Sequence, residues 1–315
     1  MIVIDDVVVI TVTYNPLLCL LRKQISRLSK QCNVVLVDNG SEPDTLKELQ
    51  VLSESNAFVS LVEMTENMGI AAAQNKGIQA VREGFPECLF IMTLDHDSVP
   101  SNSMVAELRG YLLSLQANNH NVAAVGPTLY DSRSRSYLNF HKIKKCLWSK
   151  VKPDLKSGPI LVDSLNSSGS LISLDAIDSV GVFNADMFID HIETDWCFRA
   201  VKKGYNLYAC PQVIMEHAMG DDVMKLKMLG IQAMPLRSPK RHYFIVRNSL
   251  FLHRQLYVPK VWKFWNIIKL IGTYVFFGFF TGDSKQQRTW IYKGIVDGWN
   301  CKLGGLPCKE NGSLK

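Results

Sequence analysis

Along the first hundred residues, short apolar runs alternate with stretches of helical spacing. Val7–Thr13 is a β-branched run that stops at Tyr14-Asn15-Pro16. Leu17, Leu20, Leu21, Ile25 and Leu28 recur at helical spacing within Leu17–Lys30. Val34–Val37 reads as a second strand, closed by Asp38-Asn39-Gly40-Ser41. Leu46, Leu49 and Leu52 mark a second helix, and Phe58–Val62 a third strand. An alanine-rich helix follows over Gly69–Arg82, then a fourth strand over Cys88–Leu94 that ends at Asp95-His96-Asp97. This order predicts an α/β fold, a doubly wound and mostly parallel sheet with helices on both faces. The strands are continuously apolar, as strands covered on both sides are.

Ligands of such sheets bind beyond the carboxyl ends of the strands. The polar residues fall there: Thr13, Tyr14 and Asn15 after the first strand, Asp38 after the second, Asn67 after the third, Asp95 and Asp97 after the fourth. Past Val122–Val125 the alternation weakens into polar turns and a basic patch from Lys142 to Lys156. Ser168-Gly169-Ser170 leads into the strand Leu171–Ser173, and Glu193–Lys203 reads as a short helix. Lys240–Arg254 has one basic and one apolar face, Val261–Phe280 is strongly apolar, and a loose tail is expected from Gly298. The organisation expected is a domain over 1–225, with a nucleotide-binding half over about 1–100 and an acceptor half over 101–225, then a basic helical extension over 226–315.

Composition adds two points. With 315 residues, 47% hydrophobic and 20% charged, the chain is globular. The net charge of +6 is uneven: residues 1–224 hold 19 basic and 26 acidic residues, whereas residues 225–315 hold 16 basic and 3 acidic ones. A basic end on an acidic body suggests an anionic partner there, nucleic acid or anionic lipid. The eight Cys show no C-x-x-C spacing, so a zinc ribbon is disfavoured. Met1-Ile-Val-Ile-Asp-Asp carries acids where an export signal carries positive charge, which predicts thiols in a reducing cytosol.

The chain has no G-x-G-x-x-G after the first strand, no G-x-x-x-x-G-K-[ST], no G-x-S-x-G and no H-E-x-x-H. Acids and amides must therefore bind the ligand. Two carboxylates as close as Asp95 and Asp97 repel unless a cation lies between them. On the ligand edge of the sheet they read as a site for Mg²⁺ or Mn²⁺ with a diphosphate, rather than as a solvated turn. Asp38 is either a ribose or base contact or the first residue of an Asp-Asn-Gly turn. Glu193 and Asp195 open a helix, where the dipole favours acids, and either could act as a general base beside Phe188 and Trp196. His217, after an apolar strand, is a third metal ligand, a phosphate contact or a structural histidine.

These residues carry a resemblance. Val12-Thr-Tyr-Asn15, Val37-Asp-Asn-Gly-Ser41, Glu66-Asn-Met-Gly…Asn75-Lys-Gly77, Leu94-Asp-His-Asp-Ser98, Ser168-Gly-Ser170 and Glu193-Thr-Asp-Trp-Cys-Phe-Arg199 resemble, in family order, the family 2 glycosyltransferases. These are inverting enzymes with a GT-A nucleotide-sugar-binding fold. Phe188-Ile-Asp190, His217 with Gly220-Asp221, and Arg241-His-Tyr…Arg247-Asn248 look most like bacterial rhamnosyltransferases, which use dTDP-L-rhamnose to build O-antigen or capsule. The resemblance implies Thr13, Tyr14, Asn15 and Asp38 at the nucleoside and Asn67 and Lys76 near the donor. It implies Asp95 at the ribose or metal, Asp97 on the metal, and Glu193, with Asp195 as its rival, as base. Ile192 stands where many relatives have the first acid of a Glu-Asp pair. Arg247 is a candidate fork on the diphosphate. A divalent metal is expected and no organic cofactor.

The longest charge-free run within the apolar C-terminal stretch is Leu270–Gly282, shorter than the ~20 residues a spanning helix needs. Lys260, Lys263, Lys285, Arg288 and Lys293, with Trp262, Trp265 and Trp290, suggest instead a helix lying in an anionic membrane interface. A core helix is the other reading. The expected partners are a nucleotide sugar and a polyprenyl-diphosphate-linked saccharide at the cytoplasmic membrane face, with a homo-oligomer as a further possibility and nucleic acid disfavoured. The alternatives are another hexose, GlcNAc or galactofuranose from a UDP-sugar, and a non-catalytic nucleotide-sugar binder.

Overall fold

The computed structural model describes residues 3–118, 120–132, 134–217, 223–224 and 234–306. The first part runs β1 (Ile4–Thr13), α1 (Leu18–Leu28), β2 (Cys32–Asn39), α2 (Pro43–Glu54), β3 (Val59–Met64), α3 (Ile70–Gly84) and β4 (Phe90–Asp95). Then come β5 (Ser98–Val99), α4 (Met104–Ala117), β6 (Val122–Asp131), β7 (Ser136–Tyr137), and the hairpin β8 (Phe140–Lys144) and β9 (Leu147–Val151). β10 (Ile160–Val162), β11 (Ser170–Ser173), α5 (Leu174–Val180), α6 (Ile192–Lys202) and β12 (Asn206–His217) complete the sheet. The short strands β13 (Val223–Met224) and β14 (Met234–Pro235) pair with each other before α7 (Pro239–Arg254), α8 (Lys260–Phe279) and α9 (Ser284–Trp299).

The main sheet has the order β10-β12-β6-β11-β4-β1-β2-β3. β3, β2, β1 and β4 are parallel, as the alternation of strands and helices requires. Val8, Ile10 and Val12 of β1 face one core with α3, α5 and α6, and Val7 and Val9 face the other with α1, α2 and α4. α3 lies so close to β1 that a Cβ at Gly77 would stand 2.4 Å from Ile10 Cγ2, which only glycine avoids.

The sheet is less uniform than the apolar runs suggest. β11 is antiparallel to both its neighbours, β4 and β6. β5 pairs antiparallel with the end of β12, so His217 lies opposite Ser98. The helices α4, α5 and α9 do not stand out in the periodicity.

The C-terminal region corrects two expectations. The tail is not loose as far as Leu306, the last described residue. Gly304 N–H donates to Asp186 O at 2.7 Å, and Leu306 is buried with Phe188, Tyr243 and Phe244. Trp262 is not an interfacial residue. It is 5% exposed and meets Phe198, His191 and His253 edge-on or tilted. α8 has both characters, since Trp262, Asn266, Phe277 and Gly278 are buried while Phe264, Ile267, Ile268, Ile271, Val275 and Phe279 stand exposed. No helix among the described residues is long and apolar enough to cross a membrane. The expected boundary near 225, and Gly220-Asp221, lie outside the described residues.

Candidate active site

Strand register brings the polar edge together. Thr13 lies beside Asp38 across β1 and β2, and Val12 beside Asp95 across β1 and β4. Asp38 is wholly buried and serves its turn: it accepts from Thr13 Oγ1 at 3.0 Å, Ser41 N–H at 2.9 Å and Ser41 Oγ at 2.5 Å. Asn15, with a left-handed φ of 44°, ties the same turn, donating its N–H to Ser41 Oγ and accepting from Glu42 N–H. Asn67 Oδ1 accepts from Asn39 Nδ2 and Gly69 N–H, shaping the entry to α3. Tyr14 stands exposed at this edge. Lys76 is exposed on α3, its ammonium donating to Gln79 Oε1.

The turn after β4 is different. Asp95 Oδ1 and Asp97 Oδ1 are both buried and make no hydrogen bond. With a ring nitrogen of His217 they form a group whose ligand atoms all lie within 4.8 Å of one another. Burial and the charge of Asp97 raise the Asp95 carboxyl above its ordinary range, against the pull of His217, His96 and Arg241. Two unsatisfied carboxylate oxygens and an imidazole suit a hard or borderline divalent cation, which would supply the missing partner for both acids.

Around them is a supporting shell. Gln24 Nε2 donates to Asp95 O at 2.8 Å and Ser98 O at 2.6 Å, and its Oε1 accepts from Thr11 Oγ1. Ser168 Oγ accepts from Asp95 N–H at 3.1 Å and lies 2.7 Å from Ser98 Oγ, which in turn lies 2.7 Å from His217 Nδ1. The one signal for Gln24 was a polar residue on the buried face of α1, in phase with Leu21, Ile25 and Leu28.

Three acids approach from α6 and the turn before it, with different fates. Asp195 is buried and committed to the fold: its carboxylate accepts from Arg199 Nε at 2.8 Å and from the Tyr257 hydroxyl. Asp190 is held by Arg237 Nη1 at 3.0 Å and by Arg241 Nη2 at 3.0 Å. Burial alone would raise its carboxyl, but Arg241 and Arg237 outweigh burial and hold it down to about 2. Glu193 is half-buried, and among the described residues no arginine or lysine forms an ion pair with its side chain. Burial pushes it up to about 7, aided by the charges of Asp190 and Asp95 and opposed by its own backbone N–H and by Arg241. Glu193 and Asp95 thus lie within electrostatic reach of each other, with Arg241 acting on both.

Arg247 requires a correction. Its guanidinium is buried and spent on the fold, donating to Met187 O at 2.9 Å, to Asp186 O at 3.4 Å, to Gly304 O and to Asn248 Oδ1 at 3.0 Å. It cannot fork onto a diphosphate without abandoning these carbonyls. Arg241, on another face of α7, is the guanidinium that acts on the acid cluster. The sequence held this residue in its Arg241-His-Tyr stretch but offered nothing to rank it above Arg247.

Known proteins resemble this chain in sequence and in fold. Residues 8–160 match the sequence profile described as Glycosyl transferase family 2. The dTDP-rhamnosyl transferase RfbF of Shigella flexneri is 33% identical over 258 residues, covering 81% of this chain and 82% of that protein. The chain belongs to glycosyltransferase family 2. This glycosyltransferase is also 22% identical over 166 residues to the poly-beta-1,6-N-acetyl-D-glucosamine synthase of Staphylococcus aureus, covering 52% of this chain and 37% of that one. Among solved structures, S. aureus TarS 1–349 superposes with a TM-score of 0.57 at 13% identity, over 93% of this chain and 80% of that one. The Pyrobaculum calidifontis mannosyltransferase PcManGT, in complex with GDP-Man and Mn²⁺, gives 0.52 at 15% identity, over 94% and 86%. GalNAc-T7 with UDP, GalNAc and Mn²⁺ gives 0.56 at 13%, over 92% and 55%. The glycosyltransferase shares the GT-A fold with these structures.

Proposed function

We propose that this glycosyltransferase is metal-dependent and inverting, and that it moves L-rhamnose from dTDP-L-rhamnose onto a saccharide hydroxyl in bacterial surface polysaccharide synthesis, such as O-antigen or capsule. The similarity to the Shigella flexneri dTDP-rhamnosyl transferase over four-fifths of both chains supports the donor. The observation that carries the chemistry is Glu193: a carboxyl that burial pushes up to about 7, within electrostatic reach of Asp95, beside two carboxylate oxygens that make no hydrogen bond. A group with a pKa near the working pH is suited to general base catalysis. Glu193 takes the proton of the acceptor hydroxyl as that oxygen attacks the anomeric carbon, and the nucleotide diphosphate leaves from the opposite face. Asp95, Asp97 and His217 would hold the divalent cation, which neutralises charge on the departing diphosphate. Arg241, anchored on Asp190, adds fixed positive charge on the same side. Thr13, Tyr14, Asn15, Asp38 and Asn67 shape the nucleoside end, and no organic cofactor takes part.

The test is a donor screen with Mg²⁺ or Mn²⁺ across dTDP-L-rhamnose, UDP-galactose, UDP-galactofuranose and UDP-GlcNAc. Turnover is expected with dTDP-L-rhamnose and is lost in EDTA. Turnover confined to a UDP-sugar would overturn the rhamnose assignment. Nucleotide binding without turnover of any donor would make the protein a binder only.

The acceptor is read as lipid-linked, met at the cytoplasmic membrane face. Supporting this, α8 exposes a row of apolar residues, Phe280 and, on α9, Tyr292, Ile295 and Trp299 are exposed as well, and Lys260 and Lys285 lie exposed near the starts of the two helices. Apolar surface edged by lysines is complementary to an anionic bilayer. The protein is expected to pellet with phosphatidylglycerol-containing vesicles and to be only partly released by salt, because the apolar share is not screened. Failure to pellet, together with a dimer in solution, would assign this face to a second copy of the chain.

A further inference from the structure

The segment that presents Glu193 is strained. Phe188, Asp190 and His191 have φ of 63°, 67° and 65°, in the left-handed region that non-glycine residues avoid. Such residues persist only where their surroundings impose them. α6 begins directly after this turn, so the turn sets the direction in which Glu193 leaves the backbone.

The surroundings are specific. Asn248 Nδ2 lies 2.9 Å from Met187 O, 2.8 Å from Ile189 O and 2.9 Å from Asp190 O. One amide group therefore gathers the carbonyls that immediately precede each of the three strained residues. Its orientation is fixed, because Asn248 Oδ1 accepts from Arg247 Nε. Ser249 Oγ lies 3.0 Å from His191 Nε2. From the other side, Phe188 O accepts from Ile70 N–H at 2.8 Å, and a Cβ at Gly69 would stand 2.5 Å from that same oxygen. Asn248 is wholly buried and lies on α7, outside the sheet that carries the acid pair.

We infer that Asn248 is a positioning residue for Glu193, its side-chain amide holding the left-handed Phe188–His191 turn so that the base meets the acceptor oxygen. This rests on the reading of Glu193 as the base. The amide is suited to the task because it offers two N–H donors from one planar group. Aspartate, of the same shape, has no donor and would face three carbonyl oxygens with negative charge.

The experiment measures dTDP release from dTDP-L-rhamnose with Mg²⁺, water taking the acceptor's place, or from whichever nucleotide sugar the wild-type protein turns over. Nucleotide binding is measured alongside by calorimetry, for both Kd and stoichiometry. Asn248→Ala is expected to lower kcat by about 10- to 100-fold, the scale of a 1 Å misplacement of a reacting group. The donor KM, the nucleotide Kd and the number of sites should stay within about twofold. Asn248→Ser keeps one donor and is expected to recover part of kcat, which gives a second reading if the alanine variant does not fold. An unchanged kcat per bound nucleotide in either variant would overturn the inference. So would parallel loss of kcat and of binding sites, since that is what a purely structural residue produces. Glu193→Gln separates the two readings. If it retains wild-type kcat, the base assignment fails. If it is inactive while Asn248→Ala is fully active, only the positioning role fails.

Discussion

The two acidic clusters of this glycosyltransferase are built on opposite rules. In the Asp95–Asp97 turn, two buried carboxylate oxygens make no hydrogen bond among the described residues, and the pair shares its site with His217, whose Nδ1 lies 3.7 Å from Asp97 Oδ1. In the Asp190–Asp195 segment, two of three acids are neutralised, Asp190 by two arginines and Asp195 by Arg199 and Tyr257. The first arrangement stores repulsion that a cation relieves. The second pairs the charges beside Glu193 with arginines and a tyrosine and leaves Glu193, among the described residues, without an ion-pair partner of its own. Paired carboxylates hold the fold, and unpaired ones are available for chemistry.

The strongest way to break this contrast is within α6 itself. Glu193→Gln is expected to lower kcat by about 10³-fold, within the range for a lost general base, while nucleotide binding is kept. Asp195→Asn should do the reverse. Breaking a buried pair costs about 3 kcal/mol in urea unfolding, while kcat per folded molecule falls far less. Reversal of that order would move the base to Asp195.

Next in size is the unpartnered pair. Asp97→Asn is expected to lower kcat by about 10²-fold, the scale of one charge-stabilising group, and to abolish the response of nucleotide binding to added Mg²⁺ or Mn²⁺. A variant that keeps its metal response would remove Asp97 from the cation site. A smaller loss, about tenfold, is expected for Ser168→Ala, which removes the hydroxyl between Asp95 N–H and Ser98. An unchanged metal affinity there would show that Ser168 does not orient the turn.

The subtlest test is pH. The rate should rise as pH passes through about 7, because the base must be ionised. Stability should move the other way. Glu193 has a raised pKa in the folded state, so its contribution is present below about 4.5 and is lost as pH rises through about 7. Asp190 has a lowered pKa, so its contribution is present above about 3.8 and is lost as pH falls through about 2. Urea midpoints against pH should therefore show the Glu193→Gln variant gaining on the wild type between pH 5 and 9. The Asp190→Asn variant should lose ground above pH 4 and converge with the wild type near pH 2. Parallel curves for all three proteins would contradict the assigned pairings.

Much of the ligand edge was legible in the chain. Four apolar runs broken by helical periodicity specify a parallel half-sheet, because a strand buried on both faces and its covering helix each have a local signature. Thr13, Asp38 and Asp95 then come to one edge by connectivity alone. Helical phase decided the rest of the acid assignments. Glu193 and Asp195 are two residues apart, hence about 200° apart around α6, so Asp195 meets Arg199 and Tyr257 while Glu193 points elsewhere, within electrostatic reach of Asp95. Arg241 and Arg247, six residues apart on α7, are separated in the same way, and the arginine chosen for the diphosphate was the one that braces the Asp186–Met187 carbonyls.

By itself, the sequence determined the family, the α/β alternation, the acid pair after the fourth strand and the basic, apolar C-terminal end, since each is written in contiguous residues. Only the tertiary structure decided that β11 runs antiparallel, that β12 pairs with β5 to bring His217 to Asp97, and that Gly304 docks on Asp186. It also decided which carboxyl stays without a counter-ion among the described residues. A counter-ion is set by what crosses a helix from distant segments, Tyr257 onto Asp195 and Arg241 onto Asp190, and no local pattern encodes contacts made across 50 or 60 residues.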